Sequence, residues 1–390
     1  MRTVRTFVLI LVIALIAAAC GDGSGSDTTA GEEAPATTEA GEAPATTEAG
    51  EESPDTTEGA PVEMATVRVA IGNLRAIQYF PIYVAEAAGF FEEEGIEPQI
   101  EVVSGSGAVV QQLIAENIDV MLSNPAAAIN AVANEQGDIV TWCSTHYQNI
   151  FTLATPTETG ITDIAGLAGG VIGISEPSGG EVPVVRAAMA TEGLVDGEDY
   201  ELLAIGEGGQ LTFEALSNGD ATAYSSSVFD VAAVEAQGLP LTHVLPDEFL
   251  YVPSIAFSSN RTYFEENGDV LTRFGRAYAK AQTWASDPAN RDEVNDLLMP
   301  YNAELFEDPA FVEAVWDATL TLMTPPDEMS DAPFCSHYFP GWETYVAAAL
   351  ETPVEEGGLA TEIDIESMAD ESLVPGINDF DPETVAPPAG

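Results

Sequence analysis

Small polar residues follow several apolar segments of the 390-residue sequence and could bind a ligand through backbone and hydroxyl groups. Residues 104–107 read Ser-Gly-Ser-Gly and residues 123–125 read Ser-Asn-Pro, each before a predicted helix. Residues 176–181 form a similar loop later in the chain. Free N–H groups at helix starts suit anionic or polar ligands, and glycine allows a close approach to the backbone. These loops predict a small-molecule binding site.

Three acidic residues near the loops have two alternative interpretations. Asp230 lies in the first turn of a predicted helix, where a carboxylate is usually a partner of the helix dipole. It could instead contact the ligand, which would then be cationic or carry an amine. Glu181 and Glu207 share this ambiguity, and the sequence leaves both interpretations open.

The segments that carry these loops alternate between strand and helix. Strands are predicted by short apolar or alternating runs at residues 67–71, 96–103 and 118–122. Strands that alternate with helices predict a parallel sheet, with ligands beyond the carboxyl ends of the strands. The pattern recurs over residues 164–227, so we expect Tyr224 and Ser225 to face Ser123 and Asn124 across a cleft.

The stretch GFFEEEGIEP (residues 89–98), followed by ENIDVMLSN (residues 116–124), resembles periplasmic solute-binding proteins of ABC importers. The subfamily in question binds sulfonates, taurine, nitrate or thiamine-pyrimidine precursors. The resemblance implies an α/β fold of the type II periplasmic-binding-protein class, with two lobes and two crossover strands around a central cleft. Lobe 1 would hold residues 66–155 and 256–390, and lobe 2 residues 156–255, with the first crossing near residues 154–159.

The same resemblance implies a set of ligand contacts, and the sequence contains no motif that predicts a catalytic residue, a metal site or a cofactor. The expected contacts are Tyr79, Ser106, Ser123, Asn124, Ser178, Gly179, Gly180, Tyr224, Ser225 and, if the ligand carries an amine, Asp230. Aromatic side chains could stack on a planar ligand. Because Arg75 is the only arginine in the cleft loops, a neutral planar heterocycle such as a pyrimidine is favoured over an anion.

The N-terminus predicts export and a membrane anchor. Residues 1–20 combine early arginines, a short apolar run and small residues before Cys20, which resembles a bacterial lipoprotein signal. Cys20 would carry the lipid after cleavage, although an ordinary secretory signal with a chance cysteine is the alternative. Residues 21–65 repeat an acidic Thr/Pro/Ala/Glu unit that cannot form a core, so we expect a disordered tether.

The other two cysteines predict a disulfide. Cys143 and Cys335 form an even pair in an exported chain, which favours a bond between them over two free thiols. His146 and His337 lie close to these cysteines in sequence, so a zinc site is the less favoured alternative.

The formal net charge of −55 excludes nucleic acid as a partner. A nucleic acid backbone demands Lys and Arg, of which the chain has only 10. Charge of this density is better tolerated at high salt, which predicts salt adaptation.

Together these patterns predict a monomeric, lipid-anchored solute-binding protein on the extracytoplasmic face of the cell membrane. It would close around a small molecule and deliver it to an ABC permease and its ATPase. The rival hypothesis is a surface enzyme or sensor subunit that uses the same cleft, similar to a thiamine-pyrimidine synthase. Such a synthase needs a lysine for pyridoxal phosphate, and Lys280, the single lysine, lies on a late predicted helix.

Overall fold

The computed structural model of the protein describes residues 63–72 and 76–388. Three predictions therefore lie outside the described residues: the signal peptide, the lipidated Cys20 and nearly all of the tether.

The described chain alternates strands and helices and then ends in a series of helices. The strands are β1 (Ala65–Ile71), β2 (Ile96–Val102), β3 (Val120–Ser123), β4 (Ile139–Ser144), β5 (Phe151–Pro156), β6 (Val171–Ile174), β7 (Glu201–Ala204), β8 (Ala223–Ser227), β9 (Leu241–His243) and β10 (Ala256–Asn260). The helices are α1 (Phe80–Ala87), α2 (Phe90–Glu93), α3 (Ser106–Ile114), α4 (Ala126–Ala133), α5 (Glu181–Ala190), α6 (Gln210–Asn218), α7 (Val228–Ala236), α8 (Arg261–Glu266), α9 (Gly268–Ala285), α10 (Arg291–Leu298), α11 (Pro309–Leu322), α12 (Phe339–Glu351), α13 (Ile365–Met368) and α14 (Val374–Ile377). Short 3₁₀-helices occupy Thr157–Thr159, Ile164–Leu167, Asp247–Phe249, Pro288–Asn290, Ala303–Phe306, Asp327–Met329 and Val354–Glu356.

Two five-stranded sheets define the two lobes. The first has the order β2-β1-β3-β10-β4, and the second has the order β7-β6-β8-β5-β9. In each sheet three neighbouring strands are parallel, and one strand from elsewhere in the chain is inserted antiparallel beside them: β10 in the first sheet and β5 in the second. This mutual insertion confirms the predicted two-lobed α/β architecture with two crossings.

The chain crosses between the lobes earlier than predicted. Strand β5 pairs with β8 and β9, so it belongs to lobe 2 and the first crossing is residues 145–150. The predicted crossing near residues 154–159, and the lobe boundary after residue 155, were wrong because the apolar run of β5 reads equally well as the last strand of lobe 1. The return strand β10 begins at Ala256, as the predicted boundary requires.

The two crossing segments run beside each other and are joined by hydrogen bonds. The backbone N–H of Asn149 donates to the carbonyl of Leu250 over 2.7 Å, and that of Thr145 donates to the carbonyl of Ile255 over 2.9 Å. The N–H of Ile150 donates to the hydroxyl of Ser254 over 3.0 Å. These paired segments connect the two lobes and are called the hinge below.

The C-terminal third does not belong to lobe 1 throughout, in contrast to the prediction. Helix α12 packs on α5 of lobe 2, and its Tyr345 hydroxyl also donates to Asn130 on α4 of lobe 1 over 2.7 Å. Helix α14 packs on α9 of lobe 1, where Ile377 is fully buried. The chain thus passes behind the cleft and contacts both lobes.

A disulfide joins Cys143 on β4 to Cys335, which lies just before α12. Both residues are fully buried. This is the predicted pairing, and it fastens the segment before α12 to the first sheet.

Candidate functional site

A small polar pocket lies between the lobes, at the carboxyl ends of the parallel strands. Its free volume is about 40 Å³. Lobe 1 and the hinge contribute Gly72, Gln78, Tyr79, Gly105, Ser106, Ser123, Ile150 and Ile255. Lobe 2 contributes Phe151, Ser175, Glu176, Gly179, Gly180, Glu181, Glu207, Ser226, Ser227 and Asp230.

The lobes are in direct contact at the rim of this pocket. The backbone N–H of Gly107 donates to the carbonyl of Ser178 over 3.1 Å. The hydroxyl of Ser104 donates to the carboxylate of Glu176 over 2.9 Å. These contacts pair the Ser-Gly-Ser-Gly loop of lobe 1 with the corresponding loop of lobe 2, so the two lobes are closed on each other.

The lobe 1 wall holds three of the predicted contacts. The hydroxyl of Ser123, at the end of β3, donates to the hydroxyl of Ser106, at the start of α3, over 2.8 Å. Tyr79 is buried at the start of α1 and lines the pocket beside them. The chain brings these residues together because the ends of parallel neighbours β1 and β3 lie side by side.

Gln78, which the prediction did not include, also lines this wall. Its side chain is fully buried, and neither its amide nitrogen nor its amide oxygen has a hydrogen-bond partner among the described residues. A buried amide normally has partners, so this side chain is an exception that needs a physical reason. The sequence carries no signal for it, because Gln78 follows no glycine- or serine-rich motif.

The lobe 2 wall is built around a buried carboxylate. Glu181, in the first turn of α5, accepts hydrogen bonds from the backbone N–H of Ser175 over 2.8 Å and from the Ser175 hydroxyl. Burial raises the pKa of Glu181, and the Ser175 donors oppose that rise. Gly179 is required beside it, because a Cβ there would lie 2.4 Å from the Glu181 carboxylate oxygens.

A second buried carboxylate stands at the end of β8. Asp230 accepts hydrogen bonds from the hydroxyls of Ser226 and Ser227, each over 2.7 Å. Its own N–H donates to the Ser227 hydroxyl over 3.2 Å, which caps α7. Asp230 therefore lies in the first turn of α7, as the helix-dipole interpretation requires, and also lines the pocket, so the two interpretations offered by the sequence are compatible.

Four of the predicted contacts do not line the pocket. Asn124 is buried. Its amide oxygen accepts a hydrogen bond from the N–H of Ala126, and its amide nitrogen donates to the carbonyl of Pro253. The Tyr224 hydroxyl donates to the carbonyl of Gly206 over 2.6 Å and accepts from the N–H of Gly208 over 3.0 Å. Ser225 is buried in β8, and the Ser178 carbonyl accepts a hydrogen bond from Gly107 of the opposite lobe. For these four the predicted ligand contact is not supported.

The pocket is acidic. Four carboxylates line it, from Glu176, Glu181, Glu207 and Asp230, and none of the described lining residues is Lys, Arg or His. Arg75 lies in residues 73–75, outside the described residues, and is the one cation of that segment. Even if Arg75 is counted, acids exceed bases by three (four minus one), which disfavours an anionic ligand.

The residues of the two alternative hypotheses, a zinc site and a pyridoxal phosphate lysine, have other partners in the structure. No cluster of three or more metal-ligating side chains occurs in the part of the chain that the structure describes. The disulfide uses both cysteines of the alternative zinc site. The Lys280 ammonium contacts Glu93 and Glu94 of lobe 1, at 3.1 Å and 2.7 Å, and is not part of the described pocket lining.

Comparison with known proteins places this geometry in a family. A family model described as NMT1/THI5 like matches residues 76–290. The formylaminopyrimidine-binding protein of Halalkalibacterium halodurans is 23% identical over 273 residues, which cover 68% of this chain and 79% of the relative. Residues 76–290 include most of the residues that line the two pocket walls.

Solved structures with the same fold include binding proteins and an enzyme. The alkanesulfonate-binding protein SsuA from Xanthomonas axonopodis pv. citri, bound to MOPS, has a TM-score of 0.58 and 14% identity over 80% of this chain and 99% of its own. The desulfurization enzyme DSZB has a TM-score of 0.52 and 16% identity over 80% of this chain and 98% of its own. These likenesses establish the periplasmic-binding-protein fold.

Within the described residues, we find no helix with the length and apolar content that a membrane crossing requires.

Proposed function

Because the chain belongs to the NMT1/THI5-like family, we propose that it is the extracytoplasmic solute-binding lipoprotein of an ABC importer. It captures a small organic molecule between its lobes and delivers it to a permease and its ATPase. The observation that carries this proposal is the closed polar pocket, to which both lobes contribute the ends of their parallel strands.

Capture occurs by rotation of the lobes about the paired crossings. In the open form the ligand enters from solvent and binds one wall, and closure then brings the Gly107 N–H to the Ser178 carbonyl. Closure removes the ligand from water, which strengthens its hydrogen bonds to the pocket. The closed form presents both lobes together, and a permease can recognise that arrangement.

Among the ligands of the family, the charge of the pocket favours an amino-substituted pyrimidine over an anion. Four carboxylates oppose a sulfonate or a nitrate, whereas an amino-substituted pyrimidine supplies N–H donors to them. The formylaminopyrimidine-binding relative supports the same choice. We therefore propose a thiamine-pyrimidine precursor or a similar amino heterocycle as the solute.

A thermal-shift and calorimetry panel tests this function. We expect formylaminopyrimidine to raise the melting temperature and to bind with a one-to-one stoichiometry, whereas methanesulfonate and nitrate do neither. Small-angle scattering should show a more compact protein with ligand than without. If none of these compounds, nor a wider set of small metabolites, binds, the solute-binding proposal is wrong.

Membrane attachment has its own test. We propose that Cys20 becomes the lipidated N-terminus, which holds the protein at the extracytoplasmic face of the membrane. The intact mass of detergent-extracted protein should equal the chain from Cys20 plus a diacylglyceryl group, and Cys20→Ala should release the protein into the soluble fraction. A mature chain that begins at another residue would contradict the anchor.

A further inference from the structure

We infer that Gln78 is a specificity-determining residue, and that its amide reads the edge of an amino-substituted nitrogen heterocycle. The inference rests on the proposed function, because it names the group that selects the solute. It starts from a feature that folding alone does not explain, which is a fully buried primary amide without a partner among the described residues.

The position of Gln78 makes a ligand its natural partner. The residue immediately precedes Tyr79 and α1 and lines the pocket between the lobes. Burying an amide without hydrogen bonds lowers the stability of the folded protein. A solute that enters the pocket can supply the missing bonds, so this destabilisation is offset only in the complex.

The chemistry of the amide defines the ligand edge that fits. A primary amide offers one acceptor and two donors side by side in a plane. A ring nitrogen next to an exocyclic amino group offers the complementary acceptor and donor, which is how glutamine reads adenine in nucleic acids. A sulfonate or nitrate offers acceptors only and would leave the Gln78 oxygen unpaired.

The opposite wall completes the selection. Glu181 and Asp230 are both almost completely buried, and both line the pocket across from Gln78. Carboxylates accept hydrogen bonds, so they suit further N–H groups or a positive charge on the same ligand. The pocket therefore combines an amide that can pair with a donor and an acceptor together with two carboxylates that can accept further hydrogen bonds.

A pair of matched substitutions tests this role. Gln78→Met keeps the shape of the side chain and removes its hydrogen bonds, and Gln99→Met makes the same change at an exposed position on β2. We expect Gln78→Met to weaken formylaminopyrimidine binding by at least about tenfold, which corresponds to the loss of roughly one or two hydrogen bonds. The same variant should raise the melting temperature of the ligand-free protein by about 2–4 °C, because an unpaired buried amide is gone. Gln99→Met should change neither value.

For Gln78→Met the affinity should fall while the ligand-free melting temperature rises, and this opposite change distinguishes a specificity role from a structural one. If Gln78→Met lowers the ligand-free melting temperature as well as the affinity, or leaves the affinity unchanged, the assigned role is wrong. If the wild-type protein binds methanesulfonate or nitrate more tightly than formylaminopyrimidine, the ligand class is wrong while the proposed solute-binding function stands. If no compound of the panel binds, the proposed function fails together with this inference.

Discussion

The backbone N–H of Gly107 donates a 3.1 Å hydrogen bond to the carbonyl oxygen of Ser178, and this bond joins the two lobes at the rim of the pocket. Gly107 lies in the first turn of α3 and Ser178 lies in the loop before α5, and each of these segments follows a strand of its own sheet. The two segments can approach this closely because Gly105 and Gly107 have no side chain, and a Cβ on either would lie 2.7 Å or 3.1 Å from the Ser178 carbonyl oxygen. Any atom added between them should therefore act on closure more than on folding.

Gly105→Ala is expected to hinder closure. Gly105 has a φ of 80°, and an added Cβ would lie 2.7 Å from the Ser178 carbonyl oxygen and 2.6 Å from the Glu176 carboxylate. The Glu176 side chain can move, but the Ser178 backbone cannot without opening the lobes. We expect ligand affinity to fall by roughly 1–3 kcal/mol, and the scattering radius of the liganded protein to approach that of the open form.

Gly160→Ala is the matched control for this substitution. Gly160 has a similar φ of 70°, and an added Cβ would meet no atom within 4 Å. Its ψ is 10°, whereas that of Gly105 is 137°, so the control reports the effect of an added Cβ at a positive φ without the contact between lobes. If the two variants bind ligand equally well, the proposed importance of the rim is wrong.

The loops of the pocket could be predicted because they depend on local pattern and one general rule. Ser106, Ser123, Gly179 and Gly180 line the pocket since small polar residues at the ends of parallel strands converge at one edge of a sheet. The first crossing was placed too late because β5 has no local feature that assigns it to either lobe. Only its pairing with β8, more than 60 residues later in the chain, assigns β5 to lobe 2.

The remaining differences concern the position along a strand and distant partners. The prediction chose Tyr224 and Ser225 from β8, whereas Ser226 and Ser227 line the pocket. The lining residues are the last two of β8, so the prediction lay two residues short of the carboxyl end, where ligands bind. The amide of Asn124 binds the carbonyl of Pro253 in the return crossing, which no local pattern reveals.

The disulfide should contribute substantially to stability. It closes a long segment of chain, with 192 residues of sequence separation between Cys143 and Cys335. Replacing both by alanine, which leaves no buried hydroxyl, should lower the free energy of unfolding by about 2–5 kcal/mol in urea titrations. A reducing agent should destabilise the wild-type protein and leave the double variant unchanged. Two free thiols in the denatured, unreduced wild type would contradict the bond.

The acidic surface should make stability depend on salt. With a formal net charge of −55, the carboxylates repel one another at low ionic strength, and salt screens that repulsion. We expect the melting temperature to rise by several degrees as NaCl increases to about 1 M. Sucrose at matched osmolality is the control, because it does not screen charge. An equal rise in both solutes, or none in NaCl, would argue against an electrostatic origin and against salt adaptation.

Two buried histidines should make the protein less stable in mild acid. Burial lowers the pKa of His146 to about 3 and that of His337 to about 4. The Nδ1 atom of His146 lies 3.0 Å from the Thr145 hydroxyl oxygen, and that of His337 lies 2.8 Å from the Ser144 hydroxyl oxygen. The unfolded chain binds a proton at each histidine below a pKa of about 6.5, whereas the folded chain does not, so stability is lost as the pH falls. At about pH 5 the loss should be on the order of 2 kcal/mol for each histidine.

The variants His146→Gln and His337→Gln isolate this effect from the titration of the many carboxylates. Each should be less stable than the wild type at about pH 7.5 and should lose less stability than the wild type on acidification to about pH 5. The exposed His243→Gln, on β9, should follow the wild-type profile. Denaturant titrations at several pH values measure the difference, and parallel profiles for the wild type and both buried-site variants would show that these histidines are protonated in the folded protein.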